Sequence, residues 1–138
     1  MSKIPIIIGV GDIRNKSLKP EDAIEPSKLM AAAIQRAAAD TELNEPAQKR
    51  LLQSTDALRV IPTWTWPYND LPGTVAGHLG IRPQHLELPG HGGNQPALQC
   101  DEAARKIATG ESKVAILTGG EALASRMSPW GPCSEKWC

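Results

Sequence analysis

Phenylalanine is missing from this chain of 138 residues, and aromatic residues make up only 4% of it. A core without large rings has to be assembled from Ile, Leu, Val and Ala. Charge of one sign is lacking too, because 15 basic residues are balanced by 15 acidic ones. That balance argues against electrostatic attraction to nucleic acid or to an anionic membrane surface. No apolar run approaches the roughly 20 residues that a membrane span needs. The opening Met1-Ser2-Lys3-Ile4-Pro5 carries one positive charge and then a short apolar run ending at Gly9. This reads as a strand rather than a secretory signal, so an intracellular setting is the expectation. The final Glu135-Lys136-Trp137-Cys138 is not a peroxisomal Ser-Lys-Leu address. Cysteine is scarce and odd in number (Cys100, Cys133, Cys138), which argues against a disulfide framework.

What is present has a clear rhythm. Ile4 to Val10 is apolar apart from Pro5 and is rich in β-branched residues, the pattern of a strand buried on both faces. Glu25-Pro26-Ser27 opens a helix, with proline tolerated in the first turn. Leu29, Met30, Ala33, Ile34, Ala37 and Ala38 then recur at helical spacing. A second short helix is expected from Pro46 to Gln53, and a strand from Ala57 to Ile61. Pro62-Thr63-Trp64-Thr65-Trp66-Pro67-Tyr68-Asn69-Asp70 is a shaped loop, bounded by prolines. Leu71 to Leu79 reads as a helix capped by Gly80. His85 to Leu88 reads as a brief strand. A glycine-rich turn follows, then a helix from about Pro96 to Thr109, with Asn94 or Gln95 at its N-cap and Gly110 after its end. Lys113 to Thr118 is the last strand. Apolar strands separated by helices predict an α/β fold with a parallel or mixed sheet covered by helices.

Chemistry concentrates in the turn Pro89-Gly90-His91-Gly92-Gly93-Asn94-Gln95. Unpaired N–H groups at a helix start favour an anion or a developing negative charge. A nucleophile at such a point would have a lowered pKa, but the turn holds none. The nearest thiol, Cys100, falls on the alanine side of its helix and reads as a small buried hydrophobe. His91 is either a polar ligand contact or a solvated loop residue. Trp64 and Trp66 either stack on a ligand or cover a surface of the protein. His78, His85 and His91 are too scattered for a metal pair, and Cys133 with Cys138 supply too few ligands, so no metal site is expected. Gly9-Val10-Gly11 lacks the third glycine of a dinucleotide fingerprint.

Several of these segments resemble the thiolases. Ile6-Ile7-Ile8-Gly9-Val10-Gly11 is similar to their first strand, and the Ala-rich helix from Pro26 to the helix after it. Leu71-Pro72-Gly73 through Leu79-Gly80 resembles the segment before the nucleophile strand. The strongest likeness is a pair, His91-Gly92-Gly93-Asn94-Gln95-Pro96 with Lys113-Val114-Ala115-Ile116-Leu117-Thr118-Gly119-Gly120-Glu121-Ala122. The resemblance runs over residues 4 to 125 and points to the branch near the sterol-carrier-protein thiolases. It implies part of the N-terminal half of a thiolase-like fold, as one domain over 1–125 with an irregular tail at 126–138. It also implies an acyl-CoA acyltransferase of the acetyl-CoA acetyltransferase kind, in lipid metabolism, in the cytoplasm or peroxisome.

The family places its nucleophilic cysteine where this chain has Gly93, followed by Asn94. No catalytic residue is therefore assigned, and no cofactor is expected beyond a coenzyme A thioester as substrate. His91, Gly92, Gly93 and Asn94 are the expected substrate-binding residues. No segment resembles the histidine and second cysteine of the family's other half, so a truncated, inactive chain is expected. The alternative is a non-catalytic relic, or a module that binds coenzyme A or lipid. A half-fold exposes apolar surface, which predicts homo-oligomers or association.

Overall fold

The computed structural model describes residues 3–17 and 19–122. A single 3-10 turn at Pro20–Asp22 precedes helix α1, Pro26–Asp40, and helix α2, Glu45–Gln53. Strand β1 is Ala57–Val60, helix α3 Leu71–Leu79, strand β2 His85–Glu87, helix α4 Gln95–Thr109 and strand β3 Ala115–Thr118. The three strands form a parallel sheet in the order β2-β1-β3. The expected tail at 126–138 lies outside the described residues.

Local chemistry sets most boundaries. Each of the four α-helices has proline in its first turn, where no backbone donor is needed. Asn44 caps α2 and Asp70 caps α3 through side-chain oxygens that accept backbone N–H groups. Gly80 and Gly110 end α3 and α4 in the left-handed region, at φ of 63° and 83°.

Alternation along β1 decides the layers. Leu58 and Val60, both fully buried, join Met30 and Ile34 of α1 and Leu71, Val75 and Ala76 of α3 in one apolar cluster. Arg59 points to the opposite face, where α4 lies. The result is a three-layer sandwich, α1 and α3 on one face of the sheet and α4 on the other.

Two expectations need correction. Ile4 to Val10 is not a buried strand. It forms no ladder, and Ile4, Ile6, Ile7 and Val10 are 86%, 73%, 79% and 69% exposed. The segment instead runs against α1. A Cβ on Gly9 would meet the Ala37 carbonyl oxygen at 2.1 Å, and one on Gly11 the Ala33 carbonyl oxygen at 2.1 Å. Its β-branched composition suits a sheet, but no described strand lies beside it to pair with. Cys100 is exposed, not buried. The alanine side of α4 does not dock on the sheet. That helix is held by its polar side, through Gln99, Glu102 and Lys106.

Candidate functional site

Parallel strands end on the same side, so the loops after β1, β2 and β3 gather at one edge of the sheet. In open α/β sheets that edge is where ligands sit. The Trp-rich loop leaves β1, the glycine turn leaves β2, and Gly119-Gly120-Glu121 leaves β3.

Glu121 ties the first and third loops together. One carboxylate oxygen accepts the Trp64 backbone N–H, and the other accepts the Thr65 hydroxyl. Thr63 donates its hydroxyl to the Trp66 carbonyl at 2.8 Å, closing the loop on itself. Gly119 allows the crossing, since a Cβ there would lie 2.9 Å from that of Ile61. Trp64 is left 74% exposed. Its ring meets the His91 ring at a centroid distance of 4.2 Å and a tilt of 37°. The first and second loops are therefore joined by one aromatic contact.

The four expected binding residues fall in this rim. His91, Gly93 and Asn94 are exposed and Gly92 is half-buried. Gln95 N–H bonds to the Gly92 carbonyl and Leu98 N–H to the Asn94 carbonyl, which starts α4. The Asn94 side chain makes no cap bond, and Pro96 has no N–H, so of the first four helical residues Ala97 alone keeps an open backbone donor. No thiol stands in the turn. Cys100 lies on the far side of α4, lining a groove with Ala103 and Ala104. Among the described residues no group of His, Cys, Asp and Glu could hold a metal ion.

Beneath the rim sits a buried cation that sequence reading missed. The Arg59 side chain is 1% exposed, and it meets Glu87 at 2.7 Å and Glu102 at 2.9 Å. It also donates to Gln99 at 2.5 Å, while Lys106 reaches Glu87 at 2.8 Å. The Arg59 Nε finds no acceptor. This network fixes α4, and with it the glycine turn, to β1 and β2. A charge inside an apolar strand was the only sequence signal for it.

A second unforeseen cluster joins Ser27, His78, Glu25 and Tyr68. Ser27 donates its hydroxyl to Glu25 at 2.9 Å and lies 3.1 Å from His78 Nε2. Tyr68 accepts the Ser27 N–H at 3.1 Å. Ser27 is fully buried, and its hydroxyl proton is directed to Glu25. The cluster clamps α1 to α3. Ser27 and His78 lie 51 residues apart, and no spacing rule links them.

Asp56 closes the other end of the sheet. Burial pushes its carboxyl up, but hydrogen bonds from Ser112 and from the Lys113 and Val114 backbone, with His85 nearby, outweigh that and hold it below the usual value.

Solved structures give this architecture its context. A monomeric SCP2-thiolase-like protein type 1 from Mycobacterium smegmatis matches 82% of this chain at a TM-score of 0.68 and 24% identity. An OleA variant from Xanthomonas campestris matches 83% of it at a TM-score of 0.58 and 18% identity. The chain has a thiolase-like fold, as a partial domain. It spans only 22% and 34% of the length of these two structures. No family model matches the sequence, and no curated protein matches it. No helix among the described residues is long and apolar enough to cross a membrane.

Proposed function

We propose that this chain binds a coenzyme A thioester as the acyl-facing part of a thiolase-superfamily acyltransferase, and that it does not complete acyl transfer by itself. One observation carries the reading: in a thiolase-like fold, Trp64, His91 and the Gly92-Gly93-Asn94 turn converge at the ligand edge of the sheet. The positive end of α4, with the Ala97 N–H open, suits a thioester oxygen as it gains negative charge. Trp64 offers an exposed ring beside them.

Covalent transfer needs a thiolate in that turn, where the chain has Gly93. Cys100 faces away, into the groove. The same absence of a thiol favours a second reading, a non-catalytic thiolase-like protein that binds coenzyme A or lipid.

Titration with acetyl-CoA and acetoacetyl-CoA, followed by tryptophan fluorescence, tests the binding. Saturable binding is expected, weakened about tenfold or more in Trp64→Ala and His91→Ala, with no thiolysis of acetoacetyl-CoA. A tenfold loss corresponds to about 1.4 kcal/mol. Absence of binding at millimolar thioester sinks the proposal. Thiolysis by the purified chain refutes the inactive assignment.

A further inference from the structure

Arg59 has only donors to offer, and that fixes the orientation of two glutamine side chains. Its Nη1 donates to Gln99 Oε1 at 2.5 Å. A guanidinium has no acceptor, so the Gln99 carboxamide must turn its oxygen to Arg59 and its nitrogen away. Burial holds the pair in place, with Gln99 5% exposed and the Arg59 side chain 1%. Glu87 and Glu102 grip the same guanidinium at 2.7 Å and 2.9 Å, so it is not free to leave Gln99.

One turn earlier on α4, Gln99 Nε2 donates to Gln95 Oε1 at 3.5 Å. With its oxygen engaged there, the half-buried Gln95 carboxamide has Nε2 left to present. That nitrogen lies on the Gly92 side of the turn, 3.8 Å from where a Cβ on Gly92 would stand. A buried cation thus sets the direction of a chain of hydrogen bonds, Arg59 to Gln99 to Gln95. Bonds aligned in this way polarise one another, which strengthens the last donor.

The start of α4 has a use for that donor. The Ala97 N–H alone is open on its backbone, and sites for a developing oxyanion are built from several aimed donors, amide side chains among them.

We propose that Arg59 and Gln99 are positioning residues that aim the Gln95 carboxamide N–H at the acyl oxygen of the bound thioester. This assignment rests on thioester binding at the glycine turn.

Gln99→Glu tests the relay, read by the Kd for acetyl-CoA and by the urea midpoint. A carboxylate at that position still pairs with Arg59 but has no donor for Gln95. The Gln95 carboxamide then turns Nε2 inward and presents its oxygen to the ligand. Kd is expected to rise about tenfold while the urea midpoint holds. Gln95→Met removes the donor at a half-buried position and should raise Kd by a similar factor, so it decides the matter if Gln99→Glu does not fold. Adding Gln95→Lys to Gln99→Glu restores a donor in either orientation. The double variant should bind S-acetylpantetheine, a neutral thioester with no phosphate to attract the new charge, within about threefold of the parent chain.

Parent-like Kd in Gln95→Met, or in a folded Gln99→Glu, overturns the relay and leaves thioester binding standing. A rise in Kd that follows a lowered urea midpoint and is not reversed by Gln95→Lys also overturns it, because Gln99 would then only support the fold. Absence of acetyl-CoA binding by the parent chain overturns the relay and the thioester reading together.

Discussion

Arg59 decides more than any other single residue. Its charge is removed from water between two carboxylates and an amide, and its network connects the sheet to α4 near the glycine turn. Arg59→Ala leaves a buried polar void facing Glu87 and should cost about 3–5 kcal/mol in urea unfolding. Glu102, 44% exposed, is a weaker partner, and Glu102→Ala should cost no more than about 1 kcal/mol. Equal losses for the two would contradict this ranking. Asp56 carries the pH dependence. Its carboxyl is held below the ordinary aspartate value of 3.8, so the folded state binds a proton less readily than the unfolded one. Its contribution is complete above that value and is lost as pH falls through and below it. In Asp56→Asn the acid-induced loss of stability below pH 3.8 should be shallower than in the parent chain, with about 1–3 kcal/mol lost at neutral pH. An unchanged acid limb would show that other carboxylates set it.

At the scale of elements, helix ends were the most legible part. Proline in the first turn and glycine after the last one are local signals, acting within a few residues. They placed α3, α4, Gly80 and Gly110 closely. Gly80 and Gly110 have positive φ, and replacement by Ala should cost about 1–2 kcal/mol at each. Gly77 lies inside α3 with open space around its Cβ direction, so Gly77→Ala should stabilise by about 0.5–1 kcal/mol. Urea midpoints compare the three, and the same sign at all of them would refute the distinction. The N-terminal segment was misread for the opposite reason. A β-branched run says that a strand would suit these residues, but a ladder needs a neighbour. Gly9→Ala should drive the segment off α1, because no Cβ fits 2.1 Å from a carbonyl oxygen. Faster tryptic cleavage at Arg14 is the expected sign, and unaltered cleavage would show that the contact is slack.

For the whole molecule, the balance between buried and exposed apolar surface matters most. Ile4, Ile6, Ile7 and Val10 lie open together, and an exposed apolar patch of this kind favours association. Sedimentation should show concentration-dependent self-association. A sharp monomeric unfolding transition, independent of concentration, would count against it.

The sequence by itself determined the order of strands and helices from Pro26 onward, most of their caps, the α/β class, the glycine turn and the lack of a thiol in it. All of these follow from periodicity, turn chemistry or residue identity, which act over short stretches of chain. Tertiary structure alone decided that Trp64 meets His91, that Glu121 bridges two loops and that Arg59 anchors α4. It also decided that Ser27 is buried against His78 and that Cys100 opens into a groove. Those facts depend on which face each element presents to a distant one, and no local preference encodes that choice.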